Sequence, residues 1–129
     1  MIVLIVCYWR FVLKCRDLGV WQRAVELSSE IYLALADLRD YGFKDQITRS
    51  SLSVPSNIAE GIERISDRET MRFLDIARAS AAEVQTQIYV GIKIAYVEKI
   101  QGERWIAELD EISKMITGLI KNIKRNLQN

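Results

Sequence analysis

From Phe73 onward, apolar side chains recur on a seven-residue rhythm, at Phe73, Leu74, Ala77, Ala81, Val84, Ile88, Ile92 and Ala95. A repeat of this period lines one continuous seam along a helix, and such a seam escapes water only by packing against other helices. Ala77 and Ala81 are small enough to let a neighbouring helix come close. The rhythm therefore points to an all-α fold built from long packed rods.

The rest of the chain supplies the partners. Val20, Ala24, Leu27, Ile31, Leu35 and Leu38 recur at steps of three and four, which predicts a first helix over residues 19–38. Trp21, Val25 and Tyr32 lie off that stripe and give this helix a second apolar face. Asp40-Tyr41-Gly42 marks a turn. A second helix is expected from Lys44 or Asp45, carrying Ile47, Ser51, Val54, Ile58 and Ile62. Pro55 lies inside it. Proline has no N–H and its ring crowds the carbonyl of Ser51, so a kink or local break is expected, with Ser50, Ser51, Ser53 and Ser56 placed to satisfy freed backbone groups or to bend the helix further.

Ser66 and Glu69 have the spacing of a capping box and start the third helix. After a short link at residues 99–102, Trp105, Leu109, Ile112, Ile116, Leu119, Ile123 and Leu127 continue the pattern in a fourth. Short turns place sequence neighbours antiparallel, so residues 17–129 are expected to form an antiparallel up-down-up-down four-helix bundle.

A chain of 129 residues fits one such domain, and its 50% apolar content with one proline and six glycines suits helices and argues against disorder. With 18 basic and 17 acidic side chains, any site for a polyanion must be a local patch. The absence of histidine removes the usual near-neutral acid–base group and the commonest metal ligand. Cys7 and Cys15 match neither a zinc site nor a CxxC motif and read as free thiols or apolar fillers in a reducing, cytoplasmic compartment. Serines are plentiful, but no general base accompanies them, and the adjacent acids Asp110 and Glu111 point to different parts of a helix surface. Neither a glycine-rich phosphate loop nor metal-ligand spacing occurs. No catalytic residue, metal, cofactor, small-molecule substrate or membrane contact is expected.

Residues 1–13 are apolar or aromatic except Arg10. The run falls short of the ~20 residues that a membrane span needs, and it lacks the flanks of a secretory signal. Three readings of residues 1–16 stand: upstream sequence included by a misplaced start codon, an element added to the bundle, or an apolar arm that docks on a neighbouring subunit.

Charged residues mark three places. Asn57 and Glu60 lie one turn apart in the second helix, between Arg49 and Arg64, and read either as a polar network that fixes the kinked helix with a half-buried carboxylate or as a subunit contact made by Glu60 through an arginine. Arg64, Arg68 and Arg72 recur every four residues and could meet successive phosphates. Interleaved Glu63, Asp67, Glu69 and Asp75 equally suit a solvated face of ion pairs. The last 18 residues hold Lys114, Lys121, Lys124 and Arg125 with no acidic residue, a charge asymmetry that suits either a helix C-terminus or phosphate contacts.

Three segments carry a family resemblance: Asp17-Leu18-Gly19-Val20-Trp21-Gln22, Ser53-Val54-Pro55-Ser56-Asn57-Ile58-Ala59-Glu60-Gly61, and Phe73-Leu74-Asp75-Ile76-Ala77-Arg78-Ala79-Ser80 with Glu83. Over residues 17 to about 125 the chain resembles the four-helix-bundle proteins encoded in intervening sequences of bacterial 23S rRNA genes, which are similar to accessory proteins of diversity-generating retroelements. Residues 1–16 have no counterpart there, and Ala79 stands where the family usually has glycine. The resemblance implies a ring-like homopentamer associated with nucleic acid, with RNA or DNA, ribosomal RNA or a reverse transcriptase as partner. It marks Pro55, Asn57, Glu60, Gly61, Arg78, Ser80 and Glu83 as motif or subunit-interface residues. The expected function is a non-enzymatic homo-oligomeric bundle that binds nucleic acid or serves a nucleoprotein complex; the alternative is a protein-interaction scaffold.

Overall fold

The computed structural model describes residues 17–128. Four helices run in order: α1 (Gly19–Ala34), α2 (Tyr41–Glu63), α3 (Asp67–Lys93) and α4 (Lys99–Leu127). Among the described residues there is no strand. Helices α1 and α3 each pack on both α2 and α4, so α1 and α3 occupy opposite corners of an antiparallel four-helix bundle. The apolar stripes meet along its axis. Ile31, Ile47, Ile58, Ala81, Val84, Ile88, Ile112 and Ile116 are fully shielded from solvent there, as is Ala77 at the closest approach.

Helix boundaries differ from the spacing-based ones because capping groups decide them. α1 ends at Ala34 instead of residue 38, yet Leu35 and Leu38 still pack on the core from the turn. The carbonyl of Ala36, left without a helical donor, accepts from the Lys44 ammonium at 2.7 Å. α2 begins at Tyr41 because Asp40 caps it, its Oδ1 accepting from the Phe43 N–H at 3.1 Å. Ser66 caps α3 by accepting from the Glu69 N–H at 3.1 Å, as the capping box requires. Residues 99–102 are not a link but the first turn of α4, since the Glu98 carboxylate accepts from the N–H groups of Ile100 and Gln101 at 3.2 and 2.9 Å.

The seam of α3 is shorter than its sequence rhythm. Ala95 leaves the helix and adopts φ 63° in the turn to α4. There Tyr96 N–H donates to the Gly91 carbonyl at 2.8 Å and Ala95 N–H to that of Ile92 at 3.2 Å, the hydrogen-bond pattern of a Schellman C-cap. Leu127, at the other end of the expected stripe in α4, is 57% exposed.

Pro55 does not break α2, which runs unbroken from Tyr41 to Glu63. The surrounding serines tie the helix to both of its neighbours. Ser51 Oγ meets Ser28 Oγ of α1 at 3.0 Å, Ser53 Oγ meets Ser80 Oγ of α3 at 3.0 Å, and Ser50 Oγ accepts from Gln87 Nε2 of α3 at 3.2 Å. Ser50 and Ser51 also donate to carbonyls one turn back, those of Gln46 and Thr48. Polar groups here fix helix register inside an otherwise apolar bundle.

Candidate nucleic-acid interface

The motif residues divide into two sets. The larger set holds the chain's own helices together. Asn57 Nδ2 donates to the Ser53 carbonyl at 2.8 Å and to Ser53 Oγ at 2.9 Å, and Ser53 in turn meets Ser80, so one polar chain crosses from α2 to α3. Gly61 is the point of closest approach at the α2–α3 corner: a Cβ there would lie 3.1 Å from Phe73 Cβ and 3.2 Å from the Thr70 carbonyl oxygen. Thr70 Oγ1 secures the same corner by donating to the Gly61 carbonyl at 2.8 Å. Pro55 is buried, and Arg78 reaches from α3 to Thr117 Oγ1 of α4 at 3.1 Å while pairing with Asp75.

The smaller set faces outward. The Glu60 carboxylate is not half-buried as expected. It lies exposed, 3.7 Å from the Arg64 guanidinium, so the polar network around Pro55 is built by Asn57 and the serines without it. Arg49 pairs with Asp45 instead of joining that network. Glu83 is exposed, and no hydrogen bond or ion pair of its side chain occurs among the described contacts.

The three spaced arginines do not form a bare row of cations. The Arg64 and Arg72 guanidiniums both lie over the Phe73 ring, 4.7 and 4.8 Å from its centroid, and Arg72 pairs with Glu69 at 3.0 Å. Arg68 stays exposed between them. Glu63 and Asp67 are exposed at the same corner and offset its positive charge.

A different grouping appears on α4. Arg78 of α3 faces Thr117, and Gln85 of α3 donates to Asp110 Oδ1 at 2.8 Å, which sets the antiparallel register of the two helices. Beside this seam Asp110, Ser113, Lys114, Thr117, Gly118 and Lys121 line a shallow depression of about 430 Å³. Lys114 is drawn to Glu111 at 3.5 Å, whereas Lys121, Lys124 and Arg125 show no ion pair among the described residues. Steps of seven and four put Lys114, Lys121 and Arg125 on one face of α4, with Lys124 beside them at the helix C-terminus. Following the α3–α4 register toward the start of α3 brings Arg68 and Arg72 to the same end of the bundle as Lys124 and Arg125, although more than fifty residues separate them in sequence.

Two further features escaped the spacing analysis. Along the α1–α4 seam Arg23 grips Glu108 through two nitrogens, Nη2 lying 3.0 Å from Oε2, and this contact holds the Glu108 carboxyl below its ordinary range. Between α1 and α2, Val25, Tyr32, Leu33, Leu52 and Pro55 line an apolar groove of about 380 Å³. Off-stripe Val25 and Tyr32 signalled one of its walls; only the packing of α2 supplied the other.

No helix among the described residues is long and apolar enough to cross a membrane, and no cluster of three potential metal ligands occurs among them. Fold and surface define a small all-α bundle with a cationic helix face. The chain belongs to the 23S rRNA-intervening sequence protein family, whose profile matches residues 16–118. A solved structure from Bacteroides thetaiotaomicron, described as a protein with unknown function from the S23 ribosomal protein family, superimposes with a TM-score of 0.74 at 26% identity, covering 79% of this chain and 98% of that one. Among curated proteins no significant match is found.

Proposed function

We propose that this chain is a non-enzymatic, cytoplasmic, homo-oligomeric bundle, with a pentamer as the expected assembly, that binds RNA or DNA without strong sequence preference as part of a nucleoprotein complex. The observation that carries the reading is the α4 face, where Lys114 and Lys121 border one depression with the hydroxyls of Ser113 and Thr117, and Lys124 and Arg125 extend the cationic track by one turn. Lysines and hydroxyls at this spacing suit phosphate oxygens and carry no base-reading geometry. Arg64, Arg68 and Arg72 belong to the same proposed surface, with Arg68 the most available. A single copy offers only a few phosphate contacts; repetition around an oligomer would add them into useful affinity. Membership of a family defined by 23S rRNA intervening sequences agrees with an RNA partner.

The alternative, a protein-interaction scaffold, draws on exposed Tyr89, Val90, Ile94 and Ile100 at the opposite end of the bundle. Gel-shift titration of the intact oligomer with single-stranded RNA and duplex DNA across a salt series separates the two. Retardation at low salt that fades as salt rises supports the proposal, and its absence leaves the scaffold reading.

A further inference from the structure

The α1–α2 groove is a surface without a cover among the described residues. Leu33 is 78% exposed, Leu52 49% and Tyr32 42%, and buried Pro55 forms part of the floor. The same chain contains a segment with the complementary need. Twelve of residues 1–13 are apolar or aromatic, and a run of that composition is driven out of water in proportion to its area. The segment joins the bundle through Leu18, whose extended backbone leads directly into the first turn of α1. From there the far wall of the groove at Leu33 stands about 21 Å up the helix at 1.5 Å per residue. Residues 1–13 span about 20 Å as a helix and about 43 Å when extended, so either form reaches.

We propose that residues 1–13 fold back along α1 and seat their apolar side chains in the α1–α2 groove of their own chain. Tethering favours this occupant over a second copy. A segment attached a few residues from the groove meets it at an effective concentration in the millimolar range, above that of free chains in ordinary solution. The family match begins at residue 16, so the cover is an addition to the shared bundle and leaves the core helices as they are.

Cys7 and Cys15 are the only thiols in the chain and make the arrangement directly readable. In the full chain carrying Cys15→Ser, a cysteine is introduced at the groove by Leu33→Cys or, separately, by Leu52→Cys. The control is Val90→Cys, on α3 at the opposite corner of the bundle. Mild oxidation of dilute protein should join Cys7 to either groove position within one chain at least tenfold faster than to the control, as read by non-reducing electrophoresis and peptide mass. Disulfides that link two chains would place the segment on a second copy and overturn the proposal. Equal rates at all three positions, or no disulfide at either groove position, would overturn it too. Because Leu33 and Leu52 are both solvent-facing, failure of one variant to fold leaves the other to decide.

Discussion

Trp105, almost wholly buried in α4, donates its indole N–H to the Glu30 carboxylate of α1 at 3.1 Å. The same carboxylate lies 3.5 Å from the Arg104 guanidinium. A tryptophan needs this partner when its ring is inside the core, because an indole N–H without an acceptor loses water and gains nothing in return. Glu30 therefore sets the height of α4 against α1. Glu30→Ala is expected to destabilise the bundle by about 1–2 kcal/mol, with Glu30→Gln recovering most of it through the amide oxygen. Urea unfolding of the three proteins checks the order; equal midpoints would remove Glu30 from this role.

Gly102 and Gly118 both lie in α4 and should respond to alanine with opposite signs. A Cβ on Gly102 would stand 2.6 Å from Ile92 Cδ1 and 3.1 Å from Val97 Cγ1, whereas nothing lies within 4 Å of one on Gly118. Gly102→Ala is expected to cost about 1–3 kcal/mol through overpacking at the α3–α4 turn. Gly118→Ala should stabilise by about 0.5–1 kcal/mol through helix propensity alone. Thermal melts of both variants provide the comparison.

Ala95 holds φ 63° at the position of the α3 C-cap where glycine is the favoured residue. A left-handed conformation costs a residue bearing Cβ roughly 1–2 kcal/mol, part of which glycine gives back through greater freedom in the unfolded chain. Ala95→Gly should raise stability by about 0.5–1 kcal/mol, measured as a higher denaturation midpoint with an unchanged slope.

Glu108 lies below the ordinary carboxyl value of 4.5 because the Arg23 guanidinium hydrogen-bonds to it, an effect that partial desolvation opposes. A carboxyl lowered in the folded state contributes stability that is complete above its unfolded value and disappears as pH falls through the folded one. The pair is about one-third exposed, so its share is below ~1 kcal/mol. Glu108→Gln should therefore lower stability slightly at pH 7, and the difference from the parent should vanish near pH 3. A difference that persists in acid would point to packing instead of charge.

Exchange of Lys121, Lys124 and Arg125 for alanine together should weaken nucleic-acid binding and reduce the slope of log K against log salt by about 2–3. The far-UV spectrum and oligomer mass should stay unchanged, since all three side chains are exposed. An unaltered salt slope would move the contact surface away from α4.

Amino-acid spacing alone determined the helical class, the four apolar stripes and the Ser66 cap, because helical period and local capping are properties of neighbouring residues. Reading Asp40 and Glu98 as caps would have corrected the starts of α2 and α4, since both carboxylates bond within their own first turns. Tertiary structure decided the rest. Nothing local to Ser53, Arg78 or Glu30 names Ser80, Thr117 or Trp105 as a partner, since such pairs depend on which helices stand side by side and at what height. The same holds for the surface. The heptad rhythm marked what must be buried, but only the packed bundle separated Glu60, exposed, from Asn57, held within the α2–α3 network, and gathered Leu33 and Leu52 into one groove. A helix carries its period in its own residues, whereas a groove exists only between two helices.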